Sequence, residues 1–462
     1  MAQMRRCVVS GAWCVGILTT PLAAQTSLSI YRDGRVVVRQ SLPRALERGR
    51  NSLTLKLEGL DPGTLFSLDT SVAVLSATAR SPSTAEDALA RAVGRTLSFV
   101  RAKGDTVRAT VLSVLPPQYR LPDGRLLLGS PGEPLFPPEL VRTGEEALVV
   151  LDAANARPRT ELGYMAQGAS WEAVYQVLLG RDRAWIAGVA TVTSQLAFDT
   201  AEVQLVAGAI RAARGRAERG MFAMPAPQAA MRAEAEAPQE EAVGETHVYT
   251  LTGRVTLEPR VPVATALFPR TGAPYTQEFI ARGAFPWQGI YGPAPTRPTT
   301  VPVQVWYTLK RPPPARSAFG GRPLPAGTVA VYQADSAGRP QLLGEATIDH
   351  TPAGADVRLY TGDAFDITTE WLQTAVRIDP LERQPISGSA GPQKITAAYR
   401  VTLRNAKAGP VTVNVIERHD GEWKVIESSL PAERLSAAEV RFRVPVPAGG
   451  SVQLTYTIEA RT

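Results

Sequence analysis

The alternation of apolar and polar residues along the chain predicts β-strands over most of its length. The pattern is regular from Pro323 to Thr369. Four extended runs there are separated by short turns that contain Gly or Asp: Thr328–Gln333, Pro340–Asp349, Ala355–Tyr360 and Ala364–Thr369. Gly and Asp readily adopt the left-handed backbone conformations that tight turns need. We therefore predict a β-meander, around which the other modules are organised.

The same pattern predicts an all-β fold of several β-sandwich or immunoglobulin-like modules, with a small SH3-like barrel insert and one short helix. Composition and turn signals give the boundaries. The predicted segments are a leader (1–24), a small N-terminal β-domain (25–81), the short helix with the barrel insert (82–142), the first part of a central β-sandwich (143–211), a disordered linker (212–246), the second part of the central β-domain (247–381) and a C-terminal immunoglobulin-like sandwich (394–462).

Three of these segments rest on distinct signals. In the insert, Ser83 to Glu86 has the sequence of a helix N-cap and first turn, and apolar residues follow at helical spacing as far as Gly94. The linker lacks strand alternation and is rich in Ala, Glu, Pro and Arg, so it cannot bury enough apolar surface to fold. The last segment has five extended runs with turn signals about every 8–12 residues, which is typical of an immunoglobulin-like sandwich.

The first 24 residues have the pattern of a secretory signal peptide. Arg5 and Arg6 precede a mostly apolar run, and small residues follow at Ala23 and Ala24. An uncleaved anchor is the alternative, but the run is short and interrupted for a bilayer span. We predict cleavage near Ala24, export to the periplasm or the medium, and no transmembrane span in the mature chain. Both cysteines of the chain would be removed with the leader.

The charge of the chain does not indicate a nucleic-acid partner. There are 50 Lys and Arg residues against 43 Asp and Glu, a net charge of +7, and only six of the basic residues are Lys. The arginines alternate with apolar residues along strands, as at Arg35–Arg39, whereas nucleic-acid surfaces cluster basic residues among aromatic ones. We therefore predict no nucleic-acid binding.

Four stretches together carry a resemblance to a known family. They are GASWEAVYQVLL (Gly168–Leu179), AEVQLVAGAI (Ala201–Ile210), LPAGTVAVYQADSAGRPQLLGEATIDHTPAGADVRLYTGDAFDI (Leu324–Ile367) and YRVTLRNAKAGPVTVNVIER (Tyr399–Arg418). In this order and spacing they resemble the bacterial family catalogued as domain of unknown function 4139, which includes mucoidy-inhibitor-like proteins. Longer members carry a coiled coil where this chain has its compact insert. The resemblance implies an exported, β-rich envelope protein and no particular reaction.

Residues that could carry catalysis are scattered along the sequence. His247, His350 and His419 fall in different modules, so no Ser-His-Asp arrangement can be assembled from the pattern. Asp363 and Asp366 invite a calcium or glycosidase interpretation, but a calcium loop needs more oxygen ligands at close spacing, and a solvated turn is favoured. We predict no catalytic residue, no metal site and no cofactor.

The candidate binding residues lie in a Gly- and Pro-rich loop at 281–295. The loop contains Phe285, Trp287 and Tyr291. Aromatic side chains held out between Gly and Pro can stack on sugars or anchor a protein partner. The alternative is that they fold back and cap the adjoining sandwich.

These observations favour a non-enzymatic exported protein that binds or scaffolds another component of the bacterial cell envelope, either a protein or a polysaccharide. A carbohydrate-binding protein without turnover, which would use Trp287 and Tyr291, is one alternative. An envelope polysaccharide hydrolase is the other, and its acid and base would come from four residues: Asp363, Asp366, Glu370 and His350.

Overall fold

The computed structural model of the chain describes residues 25–102, 104–208, 239–283, 297–311, 318–380 and 393–461. The predicted signal peptide and most of the predicted linker lie outside these ranges. Strands dominate the described residues, which confirms the all-β prediction. The chain divides into two compact units: unit 1 comprises residues up to Ser170 together with 194–204 and 253–261, and unit 2 comprises 171–193, 205–252 and 262 onward.

The strands of the first third are β1 (Gln25–Tyr31), β2 (Arg35–Leu42), β3 (Gly49–Leu55), β4 (Phe66–Ser67), β5 (Val72–Arg80), β6 (Thr96–Val100), β7 (Thr106–Ser113), β8 (Gln118–Arg120), β9 (Leu126–Leu128), β10 (Glu133–Leu135), β11 (Glu146–Ala153) and β12 (Thr160–Gln167). Those of the middle are β13 (Ala169–Leu179), β14 (Ala184–Ser194), β15 (Phe198–Ala207), β16 (Gln239–Val243), β17 (Thr246–Leu257), β18 (Val263–Ala273), β19 (Tyr275–Gly283), β20 (Thr299–Val301) and β21 (Val303–Leu309).

The remaining strands are β22 (Gly327–Ala334), β23 (Pro340–Ile348), β24 (Val357–Asp363), β25 (Ile367–Pro380), β26 (Gln393–Asn405), β27 (Val411–Arg418), β28 (Glu422–Ser428), β29 (Ala432–Arg434), β30 (Glu439–Val446) and β31 (Ser451–Arg461). The α-helices of the described residues are α1 (Ala85–Arg91) and α2 (Ala318–Gly321). Neither is long and apolar enough to cross a membrane.

Unit 1 contains two sheets besides the insert. In the first sheet, β1 lies between β15 and β2, and β12 lies between β2 and β4. In the second sheet, β11 is the central strand between β3 and β5, and its Val149 and Leu151 side chains are fully buried. The predicted N-terminal domain at 25–81 is therefore corrected, because its strands need β11 and β12 from beyond the insert to complete their sheets.

Residues 82–142 form the insert. Thr84 caps α1, since its hydroxyl accepts from the Asp87 amide while the Asp87 carboxylate accepts from the Thr84 amide. The strands form one antiparallel sheet in the order β10-β6-β7-β8-β9, over a small core that includes Phe99, Val111 and Tyr119. The edge strands β9 and β10 are not paired with each other, so the sheet does not close. The predicted SH3-like barrel is therefore corrected to an open five-stranded sheet.

The first sheet of unit 2 has the order β18-β14-β13-β22-β23. Its centre is a parallel pair, because β22 runs alongside β13 in the same direction. Trp171 and Tyr175 are buried on β13, where they contribute to the core. β16 and β17 pair as a hairpin, so the last part of the predicted linker, from Gln239 to Val243, is a strand.

The rest of unit 2 is a β-sandwich. One of its sheets has the order β24-β21-β19-β27-β30-β29, and the other has the order β20-β25-β26-β31-β28. Their facing side chains form one core, which includes Trp371, Tyr399, Phe442 and Tyr456. β25 pairs with β26 along its length, and β19 pairs in parallel with β27. The predicted C-terminal sandwich at 394–462 is therefore corrected, because both of its sheets also contain strands from 275–380.

The four runs of the predicted meander are all strands, β22 to β25, but they do not form a meander. β22 and β23 form a hairpin, whereas β24 pairs with β21 and β25 pairs with β20 and β26. The chain thus enters three sheets between 327 and 380. The alternation of side chains predicts which face of a strand is buried, but it leaves the partner of the strand open.

One prediction concerns an ion pair of unit 1. The Asp69 carboxylate accepts hydrogen bonds from the hydroxyl and the amide of Ser71, at 2.7 and 2.8 Å, and from Arg157 Nε at 2.6 Å. These hydrogen bonds, first those from Ser71 and then that from Arg157, lower the pKa of Asp69 to about 2. Because this pKa is depressed, the stabilisation is present above the ordinary aspartate pKa of about 3.9 and is lost as pH falls through about 2.

We expect Asp69→Asn to lower the free energy of unfolding at pH 7, and the deficit relative to the parent to shrink between about pH 4 and pH 2. Urea denaturation across this range measures it. Asp182→Asn, an exposed aspartate in the turn between β13 and β14, is the control. A deficit that is constant from pH 7 to pH 2 would contradict the assignment.

Candidate functional site

The predicted binding residues Phe285, Trp287 and Tyr291 lie outside the described residues. β19 ends at Gly283, and the chain is described again from Arg297. Their role therefore stays a prediction.

The acids named for a hydrolase have separate partners. The Asp363 carboxylate accepts from the Tyr360 hydroxyl at 2.8 Å, and Asp366 forms an ion pair with Lys407 at 3.6 Å. Both aspartates are exposed. Glu370 lies on β25 with neighbouring side chains pointing into the core, and it is half-buried. The structure therefore does not pair these carboxylates with each other.

The three histidines are also separate. His247 Nδ1 lies 2.7 Å from Glu240 Oε1 within the β16–β17 hairpin, and His350 Nδ1 accepts from the Ala326 amide at 3.3 Å. His419 belongs to a larger cluster of polar side chains.

That cluster surrounds Glu417 inside the sandwich of unit 2. Glu417 is 0% exposed, and both of its carboxylate oxygens are engaged. Oε1 lies 2.8 Å from His419 Nε2, and Oε2 accepts from the Tyr456 hydroxyl at 2.7 Å. The Tyr456 hydroxyl in turn accepts from Trp371 Nε1 at 3.0 Å. We call Glu417, His419, Tyr456 and Trp371 the buried network.

The two tyrosines near Glu417 have raised pKa values. Burial raises the pKa of Tyr456 well above its ordinary value, and the neighbouring Glu417 raises it further. Burial and Glu417 likewise raise the pKa of Tyr399, whose ring stacks on that of Tyr456 at 5.3 Å. The Tyr456 hydroxyl therefore keeps its proton at neutral pH and donates a hydrogen bond to Glu417.

A glycine provides the room for the carboxylate. Gly283 on β19 lies beside Glu417 in the parallel pairing of β19 with β27. A Cβ atom at this position would lie 2.5 Å from Glu417 Oε2 and 3.2 Å from the Trp371 ring. Because real Cβ atoms do not approach so closely, a larger residue here would displace the carboxylate or the strand.

The buried network was missed in the sequence, although its signal is present. Glu417 continues the alternation of Val413 and Val415 on β27, which predicts an inward-facing side chain, and His419 continues it further. A charged residue at an inward position indicates a partner in the core. The partners come from β25 and β31, however, so the sequence pattern alone could not name them.

The chemistry of the buried network is limited by its burial. Carboxylate, imidazole and phenol groups can hold and transfer protons, but each of these side chains is at most 7% exposed. In the described parts of the chain, no three His, Cys, Asp or Glu side chains come close enough together to hold a metal ion. The arrangement therefore fits a polar centre that fixes the two sheets of the sandwich against each other.

Two groups beside the network have no hydrogen-bond partner among the residues that the structure describes. They are the Tyr399 hydroxyl and the Trp423 indole N–H, both buried. The Trp423 ring instead contacts His419 edge-on at 5.1 Å and lies under the Arg434 guanidinium at 5.4 Å. Buried polar atoms without a hydrogen-bond partner lower the stability of a fold. The core around Tyr399 and Trp423 therefore contributes less stability than a fully hydrogen-bonded core would.

A shallow polar cleft lies on the outer face of the β26 and β31 strands. Its volume is about 350 Å³, and its side chains include Thr374, Arg400, Glu427 and Thr455. Hydroxyl, guanidinium and carboxylate groups can bind the hydroxyls of a sugar. The rings of the two tyrosines that border the cleft point into the core, so these rings give it no stacking surface.

The insert of unit 1 has an unusual outer face. Two leucines of the edge strand β9 are highly exposed, Leu126 by 64% and Leu128 by 78%. On the adjacent strand, Arg120 lies opposite Leu126, and on the next strand Arg108 is also exposed. We call these four residues the insert face. Exposed apolar side chains on an edge strand are typical of a binding surface.

Comparison with known proteins finds no family model that matches the chain and no curated protein that matches it. The resemblance to the domain of unknown function 4139 family therefore stays a prediction.

We expect Glu417→Ala to destabilise unit 2 by about 3 kcal/mol, because it leaves the Tyr456 hydroxyl buried without its acceptor. Urea denaturation followed by near-ultraviolet circular dichroism measures the loss. Glu427→Ala, an exposed glutamate of β28, is the matched control and should change stability by less than about 0.5 kcal/mol. Equal effects of the two substitutions would contradict the importance of the buried network.

Gly283→Ala tests the packing around the same carboxylate. We expect a loss of about 1–3 kcal/mol, because the added methyl group overlaps Glu417 Oε2. In the Glu417→Ala background the added methyl group has room. The double variant should therefore lose less stability than the sum of the losses of the two single variants. Additive losses in this double-mutant cycle would show that the two residues do not interact.

Proposed function

We propose that the protein is exported and acts without catalysis, by binding or scaffolding another protein of the bacterial cell envelope. The observation that carries this proposal is the insert face, with its exposed leucines on an unpaired strand edge. Open apolar edges are a hazard in an isolated protein, because they pair with other chains. A specific partner that covers this edge would prevent such unwanted pairing.

The buried network supports the same proposal. Its imidazole, carboxylate and phenol groups could transfer protons, but they are hydrogen-bonded to one another inside the core of the sandwich. The proposed export rests on the leader pattern at 1–24, and proposed membership of the domain of unknown function 4139 family rests on the four stretches named above.

Carbohydrate binding without turnover is the second candidate, and the polar cleft near Arg400 and Glu427 is the observation that favours it. A hydrolase is disfavoured, because Asp363 and Asp366 are each engaged by a different neighbour. The cleft would bind a sugar through hydrogen bonds, with affinity that Arg400→Ala and Glu427→Ala should both reduce.

The proposal is tested by chemical cross-linking of the chain in its native envelope, followed by mass spectrometry of the cross-linked species. We expect one protein to be recovered reproducibly, and we expect the recovered chain to begin near Gln25 because the leader has been cleaved. A version without residues 1–24, which stays in the cytoplasm, is the control and should not give this species.

Two outcomes would overturn the proposal. Recovery of polysaccharide alone would favour the carbohydrate-binding candidate and direct attention to the polar cleft. Recovery of the chain from the cytoplasm with residues 1–24 intact would remove the basis for an envelope role.

A further inference from the structure

We propose that β9 binds an extended, acidic segment of a partner protein, which adds to the insert sheet as a sixth strand. This inference rests on the proposed function, and it specifies the surface, the mode of binding and the chemistry of the partner. Strand addition to an open sheet edge combines main-chain hydrogen bonds with side-chain contacts on alternate residues.

The hydrogen-bond pattern of β8 with β9 shows which main-chain groups are open. The Leu121 amide donates to the Arg125 carbonyl, and the Gly129 amide donates to the Pro117 carbonyl. In an antiparallel pair, hydrogen-bonded and non-bonded positions alternate, so Tyr119 with Leu127 is the bonded pair between these two. The N–H and C=O groups of Leu126 and Leu128 therefore point away from β8, toward the open edge.

The side chains of Leu126 and Leu128 lie on the outer face of the sheet. Leu127 between them packs against the insert core, so its two neighbours point outward. Both the main chain and the side chains of these two leucines are thus available to an added strand. Its outward side chains would lie next to the leucines and would cover them from water.

The charge of the insert face indicates an acidic partner. Arg120 is exposed on β8 and Arg108 on β7, and neither forms an ion pair with another described residue. Among the five strands of the insert sheet, the acidic residue is Glu133, which lies on β10 at the opposite edge of the sheet. An added strand would lie two strand spacings, about 10 Å, from Arg120, so carboxylates on it would be attracted by a positive charge that is not yet neutralised.

The same observations disfavour other occupants. A second copy of the chain that paired through β9 would bring two more arginines to the face, so that like charges would lie near each other. An anionic lipid surface would attract the arginines and the leucines, but insertion into lipid would leave the N–H and C=O groups of β9 without hydrogen-bond partners. An acidic strand of another protein would pair with the open main-chain groups of β9, cover its leucines and attract the arginines.

The test uses the mature chain from Gln25 and two fluorescent octapeptide probes that differ only in charge. One is Thr-Val-Thr-Glu-Thr-Val-Thr-Glu, and the other has Lys in place of Glu. We expect the acidic probe to bind about tenfold more tightly at low salt, as measured by fluorescence anisotropy. Hydrogen exchange should slow at the amides of Leu126 and Leu128 when the acidic probe is bound.

Leu128→Pro removes an N–H group of the open edge and no hydrogen bond to β8, so it should weaken binding about tenfold while the protein stays folded. Arg120→Glu should weaken the acidic probe and strengthen the basic one. The matched control is Arg48→Glu, an equal charge change at an exposed site between β2 and β3, which should leave both affinities unchanged. Near-ultraviolet circular dichroism verifies that each variant is folded.

Three results would overturn the inference. The first is equal binding of the two probes, or binding that Leu128→Pro does not change. The second is a dimer of the chain that Leu128→Pro dissociates, as measured by sedimentation. The third is binding to vesicles of phosphatidylglycerol that Leu128→Ser abolishes, without protection of the β9 amides by the probe. If the envelope cross-link persists in the Leu128→Pro variant, the proposed function stands and only this surface is wrong.

Discussion

The sandwich of unit 2 depends on the satisfaction of one buried carboxylate. Glu417 lies where four strands meet, and its oxygens are reached by His419 on one side and Tyr456 on the other. An unpaired carboxylate in such a core would strongly lower the stability of the fold, whereas a fully hydrogen-bonded one specifies which strands face each other. Gly283 on β19 and Trp371 on β25 complete the arrangement. The segments that carry these residues are therefore held to one geometry.

The sequence predicts the strands of this protein better than it predicts their partners. The period-two alternation predicts β22 to β25, and the capping sequence predicts α1. The assignment of strands to sheets failed, because alternation is a property of one strand while pairing joins residues far apart. The predicted domains at 25–81 and 394–462 were contiguous in sequence, and their sheets are not.

The same limit applies to the candidate sites. The alternation of Val413, Val415 and Glu417 contains the signal of a buried acid, yet its partners lie on strands that the sequence cannot bring together. The insert face was missed for a different reason. A run of three leucines at 126–128 predicts burial, and it is the position of β9 at the edge of an open sheet that exposes two of them. Edge position is a tertiary property.

The parallel pairing of β19 with β27 also constrains how the chain folds. Phe279 pairs with Val413, so the ends of a long loop must meet before this ladder can form. Such contacts are entropically costly to close and make folding slow. The central strand β26 pairs on one side with β31, so the core stays open in a nascent chain until β31 has emerged from the ribosome. Loss of β31 would therefore leave the apolar side chains of both β26 and β28 without their strand partner.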